Sequence, residues 1–428
     1  MKALILAAGF GTRLHPLTQF RPKAMLPLLG KPMLHHVIDT LRDVGLKEIV
    51  LVVSHLRDQI KQYFGDGKDL GVQISYAFQA KPKGEYDAVL SAEKDLAGDD
   101  RFLMTDCDII TTTQRFKDTL KAAGTSDMAL SLFEVPNPNQ FGVVALEGEK
   151  ITKIVEKPPL GTEPSNLIVA GVYVFTEAIF DAIRKTKDLE VGIQHLIDEG
   201  HKVFGSHSTD PWVDVGRTWN ILEASPILFE RLHQEKSARG NAPPIDLTAK
   251  VSNAAHLSGA VFVGPGARVF PGASLTGPVY VGEKAVVGNN ALLRDYAVLE
   301  RGVSVGFSCE VRNTLLMPSS TVGHLAFVGD SVIGHEVDIG AGVVLSNYRF
   351  DGEVVKVMLR GQLVATHTDK FGAVVGDQSK IGCNAVVLPG RTIGYNSWID
   401  PGIVVEKDVP DNTHLRLKQR LVEEERRS

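Results

Sequence analysis

The residues with the clearest chemical potential follow the first predicted strand. Gly9 and Gly11 come directly after the aliphatic run that ends at Ala8, and Arg13 and Lys23 follow them. Glycines placed after a strand let the backbone approach a phosphate closely, with its N–H groups directed at the anion. Each cation would be unpaired beside a sheet end unless an anion or an acid lies there. This part of the sequence therefore predicts a phosphate site.

The elements that must position these residues alternate between two types. Short aliphatic runs indicate strands, and longer segments with apolar residues at helical spacing indicate helices. The segments concerned are Lys2 to Ala8, Met33 to Val44, Glu48 to Val53, Leu56 to Phe64, Asp87 to Leu96 and Arg101 to Met104. This order predicts βαβ units and a mostly parallel sheet covered on both faces. Ligands of such sheets lie beyond the carboxyl ends of the strands, so chemistry is expected just after Ala8 and just after Met104.

The second half of the chain has a different period. Ile, Val or Leu recurs at every sixth position from Ile245 to Val311 and again from Val375 to Val405, and the fourth residue after each is usually small. A six-residue period suits a parallel β-helix of short strands, in which three hexads make one triangular coil of about 18 residues. Neighbouring coils would stack the aliphatic rows into a continuous core.

The first half of the chain resembles the sugar-1-phosphate nucleotidylyltransferases. The resemblance extends through most of residues 1–228, and its motifs are Ala7-Ala8-Gly9-Phe10-Gly11-Thr12-Arg13-Leu14, Pro22-Lys23-Ala24-Met25-Leu26-Pro27, Gly30-Lys31-Pro32-Met33, Asp108, Glu156-Lys157-Pro158 and Trp212-Val213-Asp214-Val215-Gly216. It implies a Rossmann-like α/β nucleotidyltransferase domain. It also implies a reaction in which a sugar phosphate oxygen attacks the α-phosphorus of a nucleoside triphosphate and pyrophosphate leaves.

The resemblance also implies roles for the charged residues. Asp108 and Asp214 match the family's metal-binding aspartates, and two carboxylates with phosphate oxygens and water form a site of the kind that Mg²⁺ prefers. Arg13 would neutralise the departing pyrophosphate, and Lys23 would hold the sugar phosphate near the α-phosphorus. Asp106, which comes two residues before Asp108, is expected in a turn or behind the metal ligands.

Substrate-binding positions follow from the same resemblance. Glu156 would accept hydrogen bonds from sugar hydroxyls, and Lys157 would add a second phosphate contact. The sugar pocket would also be lined by Asn166, Ala170 and Gly171. The nucleotide would lie against Ala7, Ala8, Gly9, Gly11, Thr12, Gln79 and Gly84.

One segment departs from the family pattern. The family usually has Gly-Thr followed by small residues, where this chain has Gly84-Glu85-Tyr86-Asp87-Ala88. Glu85 brings an acid, and Tyr86 brings bulk, to a region expected near the nucleotide base. The choice of base therefore stays open.

A second candidate site lies in the repeat region. The hexads resemble those of the left-handed β-helix acyltransferases, which are typically trimers. The hexad phase breaks at Gly323 to Asp330 and at Asp338 to Gly342, and these segments resemble the acetyltransferase half of the bifunctional, archaeal-type N-acetylglucosamine-1-phosphate uridylyltransferases. The match implies that His324 is the base, that Asn347 and Tyr348 belong to the same site, and that acetyl-CoA is a co-substrate.

Two substitutions affect this second site. Phe327 stands where the family has a tyrosine hydroxyl, and Asp338 stands where the family has an amide. Loss of a hydrogen bond and a like charge near the site would both weaken the binding of an anionic acceptor.

Length and charge set further limits. The 428 residues exceed one ordinary domain, and the expected division is a nucleotidylyltransferase domain at 1–228, a linker at 229–244, a β-helix at 245–414 and a charged tail at 415–428 that forms a terminal helix. The net charge of -5 argues against a protein that coats itself on nucleic acid. No apolar run approaches the roughly 18 to 20 residues of a membrane helix, so we expect a cytoplasmic enzyme with no membrane partner.

These features together predict a Mg²⁺-dependent nucleotidylyltransferase. The favoured substrates are UTP and N-acetylglucosamine 1-phosphate, and the trimerising β-helix would also acetylate an amino sugar phosphate. One alternative is a glucose-1-phosphate uridylyl- or thymidylyltransferase whose β-helix only oligomerises. The other is a non-catalytic regulatory subunit that binds a nucleotide sugar.

Overall fold

The computed structural model describes residues 1–81, 83–238 and 244–423. Within these ranges the chain forms two compact units. The first comprises Met1–Leu14, Thr18–Pro27 and Lys31–Leu228, and the second comprises His15–Leu17, Leu28–Gly30 and the described residues from Phe229 onward. None of the described residues belongs to a helix that is both long enough and apolar enough to cross a membrane.

The first unit is built on a nine-stranded sheet. The strands up to residue 214 are β1 (Ala3–Leu6), β2 (Pro27–Leu28), β3 (Lys31–Pro32), β4 (Glu48–Val53), β5 (Gln73–Phe78), β6 (Arg101–Asp106), β7 (Ile109–Thr111), β8 (Met128–Glu134), β9 (Gly142–Glu147), β10 (Lys150–Glu156), β11 (Leu167–Thr176), β12 (Val203–His207) and β13 (Trp212–Asp214). The sheet order is β5-β4-β1-β6-β11-β8-β12-β10-β9, while β7 pairs with β13 and β2 pairs with β3.

Eight helices accompany these strands in the described residues. They are α1 (Met33–Val44), α2 (Arg57–Phe64), α3 (Glu85–Ser91), α4 (Glu93–Leu96), α5 (Thr113–Ala123), α6 (Ala178–Thr186), α7 (Leu189–Asp198) and α8 (Thr218–Ala238). Helix α1 ends at Gly45, whose φ of 100° is the left-handed conformation that favours glycine. Helix α7 begins after Asp188, whose carboxylate accepts a hydrogen bond from the Val191 N–H at 3.0 Å.

The sheet is mixed, so the prediction of a mostly parallel sheet is only half right. Strands β5, β4, β1 and β6 run parallel, and every residue of β1 is buried, as in a central strand covered on both faces. Beyond β6 the pairings of β11 with β6 and β8, and of β10 with β9 and β12, are antiparallel. For β9 and β10 the reason is the tight turn that joins them, which can connect only antiparallel strands.

Most predicted elements of this unit are present. The segments at Met33–Val44 and Glu48–Val53 have the predicted bounds, whereas the predicted helix from Asp87 to Leu96 is two helices, α3 and α4. Strand β6 continues two residues past Met104, so Asp106 is its last residue and does not lie in a turn.

The second unit is a three-sided parallel β-helix. Its first face holds Lys250–Val251, Arg268–Val269, Val286–Val287, Ser304–Val305, Thr321–Val322, Asp338–Ile339, Lys380–Ile381, Trp398–Ile399 and His414–Leu415. Its second face holds His256–Ser258, Ser274–Thr276, Leu292–Arg294, Glu310–Arg312, Phe327–Gly329, Val344–Leu345, Val386–Val387 and Val404–Val405. Its third face holds Val261–Val263, Val279–Val281, Ala297–Leu299, Leu315–Leu316, Val332–Ile333, Ala373–Val375 and Arg391–Ile393.

The hexad residues form the core of this β-helix, as predicted. Val269, Val287 and Val305 stack in register on the first face, eighteen residues apart, and each is buried. The small residues predicted beside them, such as Ala267 and Ala285, are completely buried.

The first predicted phase break is partly right and the second is wrong. A residue is lost between Val328 and Ile333, at the end of the first predicted segment, whereas Ile339 and Leu345 keep the six-residue spacing. Leu299 pairs with Leu316, and Leu316 pairs with Ile333, so two successive coils have seventeen residues instead of eighteen. In each of them, the segment between the second and the third face is one residue shorter. A longer interruption follows Leu345, where an antiparallel hairpin of Lys356–Leu359 and Gln362–Ala365 leaves the coil.

The linker and the tail differ from expectation. Helix α8 continues through residues 229–238 of the predicted linker, and residues 239–243 lie outside the described ones. The predicted terminal helix is wrong for residues 416–423, which have no regular secondary structure in the described part of the tail. Residues 424–428 lie outside the described residues.

Candidate functional site

The first unit contains a pocket of about 580 Å³ at the carboxyl ends of β1 and β6. It brings together most of the residues that the sequence predicts for nucleotidyl transfer. The predicted residues in its lining are Ala8, Gly9, Arg13, Lys23, Gln79, Gly84, Asp108, Glu156, Lys157, Gly171 and Asp214.

Five predicted residues are not in the lining formed by the described part of the chain: Ala7, Gly11, Thr12, Asn166 and Ala170. The Ala7 N–H donates to the Val52 carbonyl at 2.9 Å, so it belongs to the sheet. The backbone carbonyl of Asn166 accepts from the Val135 N–H at 3.0 Å, and its side chain is exposed.

The remaining three residues are Gly11, Ala170 and Thr12. Gly11 has a φ of 63°, and a Cβ there would lie 3.0 Å from the Cβ of Lys23, so glycine lets this loop pass close to Lys23. The carbonyl of Ala170 accepts a hydrogen bond from the indole Nε1 of Trp212 at 2.9 Å. Thr12 begins a short 3-10 helix and is exposed.

The two predicted metal ligands are held next to each other by the β7–β13 ladder. Asp214 pairs with Ile109, the neighbour of Asp108, and the Val215 N–H donates to the Asp108 carbonyl at 3.1 Å. Both carboxylates line the same pocket. Oxygen donors fixed in this way suit a hard divalent cation.

A lysine and a further aspartate share this centre. The Lys23 ammonium forms an ion pair with the Asp108 carboxylate. Burial lowers the pKa of Lys23, although the charge of Asp214 opposes the shift. Burial and the nearby Asp214 raise the pKa of Asp106 to about 7. Asp106 therefore faces the pocket directly, closer to the chemistry than the sequence suggested.

Two arginines lie on the other side of Asp214. A Cβ at Gly216 would stand 3.3 Å from Arg13 Nη2 and 3.3 Å from both carboxylate oxygens of Asp214, so the glycine allows these side chains to approach each other. Arg217, which the sequence analysis missed, also lines the pocket. Burial and the charge of Arg13 lower the pKa of Arg217, which indicates that the two cations are close. Its position directly after the Trp212 to Gly216 motif was the available signal.

Gln79 lies in the wall near the start of α3. Its side-chain amide donates to the Gly84 carbonyl at 3.1 Å and to the Asp87 carboxylate at 2.9 Å. The side chain is buried. The acid that contacts the predicted base-reading residue is thus Asp87.

Glu85 points elsewhere, which corrects the expectation that it lies near the base. Its charged neighbours are Asp106, Glu190, Glu156 and Lys157. Burial, followed by the nearby carboxylates, raises the pKa of Glu85 well above its usual value. This acidic group lies at the predicted sugar end of the pocket.

Glu190 was not predicted as a site residue. It lies in the first turn of α7 and lines the pocket beside Glu156. Burial and the charge of Glu156 raise its pKa to about 7. No motif in the sequence surrounds it, so only the packing of α7 against β10 could reveal it.

In the β-helix unit, the predicted base His324 has a defined ring orientation. Its Nδ1 accepts a hydrogen bond from the Phe307 N–H at 2.9 Å. A neutral ring that accepts at Nδ1 carries its hydrogen on Nε2. This geometry favours hydrogen-bond donation by Nε2, and the role of base stays a prediction.

The other residues predicted for acetyl transfer lie at a different corner of the coil. Phe327 pairs with Val344. His324 lies three residues before Phe327, and Asn347 lies three residues after Val344. The two predicted residues therefore flank opposite ends of the paired strands. The Asn347 amide donates to the buried carboxylate of Asp330. Tyr348 follows it and is 49% exposed. Within one chain, the structure does not bring His324 and Asn347 together.

Two cations beside Asp330 were missed by the sequence analysis. Arg294 and Arg312 are adjacent in register on the second face. Arg312 Nε lies 3.6 Å from Asp330 Oδ2, and Arg294 Nη2 lies 2.7 Å from Glu310 Oε1. Their eighteen-residue spacing at equivalent hexad positions would have predicted this adjacency.

Comparisons with known proteins extend over both units. Residues 2–231 match the family model described as nucleotidyl transferase, and residues 275–368 match the model described as GMPPB C-terminal domain. A Methanocaldococcus jannaschii protein named bifunctional protein GlmU is 37% identical over 430 residues, which cover 99% of each chain.

Two further relatives cover different shares of the chain. A Sulfurisphaera tokodaii protein named bifunctional sugar-1-phosphate nucleotidylyltransferase/acetyltransferase is 35% identical over 96% of this chain and 98% of its own. The Haloferax volcanii low-salt glycan biosynthesis nucleotidyltransferase Agl11 is 36% identical over 54% of this chain and 66% of its own. The chain therefore belongs to the nucleotidyl transferase family, within the group of full-length relatives named as bifunctional nucleotidylyltransferase and acetyltransferase proteins.

Proposed function

We propose that the protein transfers a nucleotidyl group from a nucleoside triphosphate to a sugar 1-phosphate, releases pyrophosphate, and holds Mg²⁺ between Asp108 and Asp214. The observation that carries this proposal is the joining of the two carboxylates by the β7–β13 ladder, in a pocket that also holds Arg13 and Lys23. The family of the chain supports the same reaction.

The residues present fit Mg²⁺, which takes oxygen ligands from one or two carboxylates, phosphates and water. In the described chain no three His, Cys, Asp or Glu side chains are grouped to hold a metal by themselves. Phosphate oxygens of the substrates would therefore complete the ligand set. When bound, the ion would neutralise part of the phosphate charge.

The side chains of the pocket supply alignment and countercharge. A sugar phosphate is already an anion at neutral pH, so its attack needs no general base. Two polyanions must instead be held in line, and the charge on the reacting phosphorus must be stabilised. Lys23, which pairs with Asp108, would hold the reacting phosphates. Arg13, on the exposed side of Asp214, would neutralise the departing pyrophosphate.

The orientation of Gln79 supports a choice among bases. Its NH₂ group faces the Asp87 carboxylate, so its oxygen is the part left to accept a hydrogen bond. The N3–H of uracil or thymine is a donor at the matching edge, whereas the N3 of cytosine and the N1 of adenine are acceptors. The N1–H of guanine is a donor as well, so this orientation disfavours only CTP and ATP. The resemblance to N-acetylglucosamine-1-phosphate uridylyltransferases places UTP first, and dTTP is the alternative.

The proposed sugar is a hexosamine 1-phosphate, N-acetylated or with a free amine. The observation in favour is the acidic group around Glu85, Glu156 and Glu190, which offers acceptors to a substrate rich in hydroxyl and nitrogen donors. Full-length similarity to proteins named bifunctional GlmU favours the same sugar class over glucose or mannose.

For the second unit we propose a left-handed β-helix that assembles as a trimer, with domain limits at residues 1–228 and 245–414. The hexad resemblance supports the hand and the trimer. The placement of His324 and Asn347 at opposite corners also supports assembly, because a shared site would need a corner from another copy.

Acetyl transfer from acetyl-CoA to an amino sugar phosphate is the second candidate function. It is favoured by the similarity that spans both units of the bifunctional relatives. Arg294 and Arg312 add cations suited to a phosphate group. A trimer in sedimentation analysis, together with release of free CoA only when an amino sugar phosphate is present, is the expected result.

The nucleotidyl transfer is tested by pyrophosphate release with Mg²⁺. UTP, dTTP, GTP, CTP and ATP would each be combined with the 1-phosphates of glucose, mannose, glucosamine and N-acetylglucosamine. We expect turnover with a uracil or thymine nucleotide and a hexosamine 1-phosphate. Silence across the whole grid, with folded protein confirmed by circular dichroism, would contradict the proposal and favour a regulatory subunit.

A further inference from the structure

The cationic side chains in the lining of the pocket are of two kinds. The lysines Lys23 and Lys157 both form ion pairs with carboxylates of the pocket. The arginines Arg13 and Arg217 line the same pocket, but no carboxylate oxygen of the described residues lies within ion-pair distance of either guanidinium. The positive charge that this pocket leaves to a ligand is therefore mainly that of the two arginines.

The two arginines lie close to each other, beside Asp214. After burial, the charge of Arg13 is the largest cause that lowers the pKa of Arg217, while Asp214 and Glu223 oppose the shift. Two neighbouring cations repel each other unless an anion lies between them. Asp214 is the proposed ligand of Mg²⁺, so its charge would be matched by the ion. A negatively charged ligand is then the group that would relieve the repulsion between the arginines.

Neutral groups hold Arg217 in place. Its Nη2 donates a hydrogen bond to the side-chain oxygen of Gln140. Its guanidinium carbon lies 5.4 Å from the centre of the Trp219 ring, which is buried. An amide oxygen and an aromatic ring orient a guanidinium without cancelling its charge. A guanidinium has five N–H donors, so most of those of Arg217 stay available to the oxygens of a phosphate.

We propose that Arg217 is a second pyrophosphate-binding arginine, which together with Arg13 binds the β- and γ-phosphates of the nucleoside triphosphate and the pyrophosphate that leaves. The inference deepens the proposed function and rests on it, because it assigns a further residue to the leaving group of the same reaction.

Pyrophosphate fits this pair of arginines better than the sugar phosphate does. It has two phosphate groups, and each guanidinium can bind one of them with two parallel hydrogen bonds. The sugar phosphate has one phosphate group, and Lys157 is proposed to contact it at the other end of the pocket. Negative charge accumulates on the leaving phosphates as the bond to the α-phosphorus breaks, so both arginines would stabilise the transition state.

The experiment measures pyrophosphate on the full chain in two ways. Titration calorimetry in the presence of Mg²⁺ gives the Kd for pyrophosphate. The reverse reaction, in which pyrophosphate cleaves the nucleotide sugar, gives separate KM values for pyrophosphate and for the nucleotide sugar, and the forward reaction gives KM for the sugar 1-phosphate. Arg217→Gln and Arg217→Lys would be compared with the wild type and with the control Arg184→Gln. Arg184 is exposed on α6, outside the pocket lining.

We expect Arg217→Gln to raise both Kd and KM for pyrophosphate by about 10- to 100-fold, the loss of hydrogen bonds between charged groups. KM for the nucleotide sugar and for the sugar 1-phosphate should stay within about threefold of the wild type. Arg217→Lys keeps the charge but not the fork of donors, so its Kd for pyrophosphate should rise by about three- to tenfold. Thermal unfolding would confirm that each variant is folded, and Arg217→Lys decides the matter if Arg217→Gln is not.

An unchanged Kd for pyrophosphate in a folded Arg217→Gln would overturn the inference. A rise confined to KM for the sugar 1-phosphate would overturn it too, and would place Arg217 on the sugar phosphate. An equal loss of pyrophosphate affinity in Arg184→Gln would show that only the overall charge of the protein matters. Absence of turnover with every sugar and nucleotide would instead overturn the proposed function, and calorimetry with pyrophosphate would still decide the role of Arg217.

Discussion

The amide of Gln79 is oriented by Asp87, whose carboxylate accepts its Nε2–H at 2.9 Å. An ionised carboxylate can only accept, so the amide oxygen must face away from it. Asp87 lies in the first turn of α3, within the segment where the chain departs from its family's usual Gly-Thr pattern. In this segment it is therefore Asp87, and not Glu85, that contacts the residue proposed to read the base.

Asp87→Asn should weaken base selection. Asparagine offers both a donor and an acceptor, so only the Gly84 carbonyl would still require the Gln79 NH₂ group as a donor. The amide could then turn its NH₂ group into the pocket more often and pair with cytosine or adenine. We expect the ratio of kcat/KM for UTP over CTP to fall about 10-fold, the loss of one oriented hydrogen bond. The measurement is pyrophosphate release with each nucleotide at a fixed sugar phosphate. The control Asp95→Asn, exposed on α4, should keep the ratio of the wild type, and an unchanged ratio in both variants would remove Asp87 from base reading.

Asp214→Asn should separate activity from stability. Loss of one proposed metal ligand is expected to reduce turnover by about 100-fold or more at fixed Mg²⁺. The same change removes a like charge that helps to raise the pKa of Asp106 to about 7, but it also removes a charge that favours the cationic forms of Lys23 and Arg217. These effects oppose each other, so the melting temperature at pH 8 should change little. Calorimetry and a Mg²⁺ titration of the rate would be compared with Asp58→Asn, an exposed site on α2. Full activity in Asp214→Asn would show that the metal assignment is wrong.

Sequence motifs predicted most of the lining residues at the proposed phosphate end of the pocket and missed Glu190 at the proposed sugar end. Arg13, Lys23 and Asp214 stand in dense local motifs whose residue types are explained by phosphate chemistry, and the hexads define the β-helix because their period is strict. Glu190 lies in the first turn of a helix whose sequence has no special motif. It enters the pocket lining only because α7 packs beside Glu156. Contacts between segments that are distant in sequence, such as these, leave no local pattern to read.

Glu85 is a second residue whose place in the pocket the sequence did not predict. Its place in the segment that replaces the family's Gly-Thr suggested a role near the base, but α3 begins at Glu85 itself. Successive residues of a helix point about 100° apart, so Glu85 lines the pocket whereas Asp87, two residues on, contacts Gln79 outside the lining.

Glu190→Gln should flatten the pH dependence of stability. Burial and Glu156 raise the pKa of Glu190 from 4.5 to about 7 in the folded chain. The folded state therefore holds this proton more tightly than the unfolded state does, and the stability it contributes is complete below about pH 4.5 and is lost as the pH rises through about 7. We expect the fall in melting temperature between pH 5 and pH 8 to be smaller in Glu190→Gln than in the wild type. An equal fall in both, with Glu147→Gln as the reference, would show that Glu190 titrates normally.

Arg115→Met should destabilise the first unit and impair catalysis. The guanidinium is completely buried and donates to the carbonyls of Leu132 at 3.0 Å and Asp210 at 2.6 Å. Methionine leaves these acceptors unpaired, and we expect a loss of about 3 kcal/mol in the free energy of unfolding. Because Asp210 leads directly into β13, which carries Asp214, kcat should fall as well.

The matched control for that loss is Arg184→Met. Arg184 is exposed and pairs with Glu93 and Asp181 at the surface, so its removal should cost far less stability than the removal of Arg115. Urea denaturation would give both values, and equal losses in the two variants would contradict a special role for the buried guanidinium.

His324 should be found with its hydrogen on Nε2 when the ring is neutral, because Nδ1 accepts from the Phe307 N–H at 2.9 Å. Nitrogen-15 NMR of the ring distinguishes the two tautomers, and the His324→Asn variant identifies the signal. A hydrogen on Nδ1 in the free protein would contradict the geometry.

To act as a base at Nε2, the ring must move its hydrogen to Nδ1 and give up the bond to Phe307. Addition of CoA and an amino sugar phosphate to the same sample should therefore shift the tautomer if His324 accepts the proton in acetyl transfer, and should leave it unchanged if Nε2 only donates.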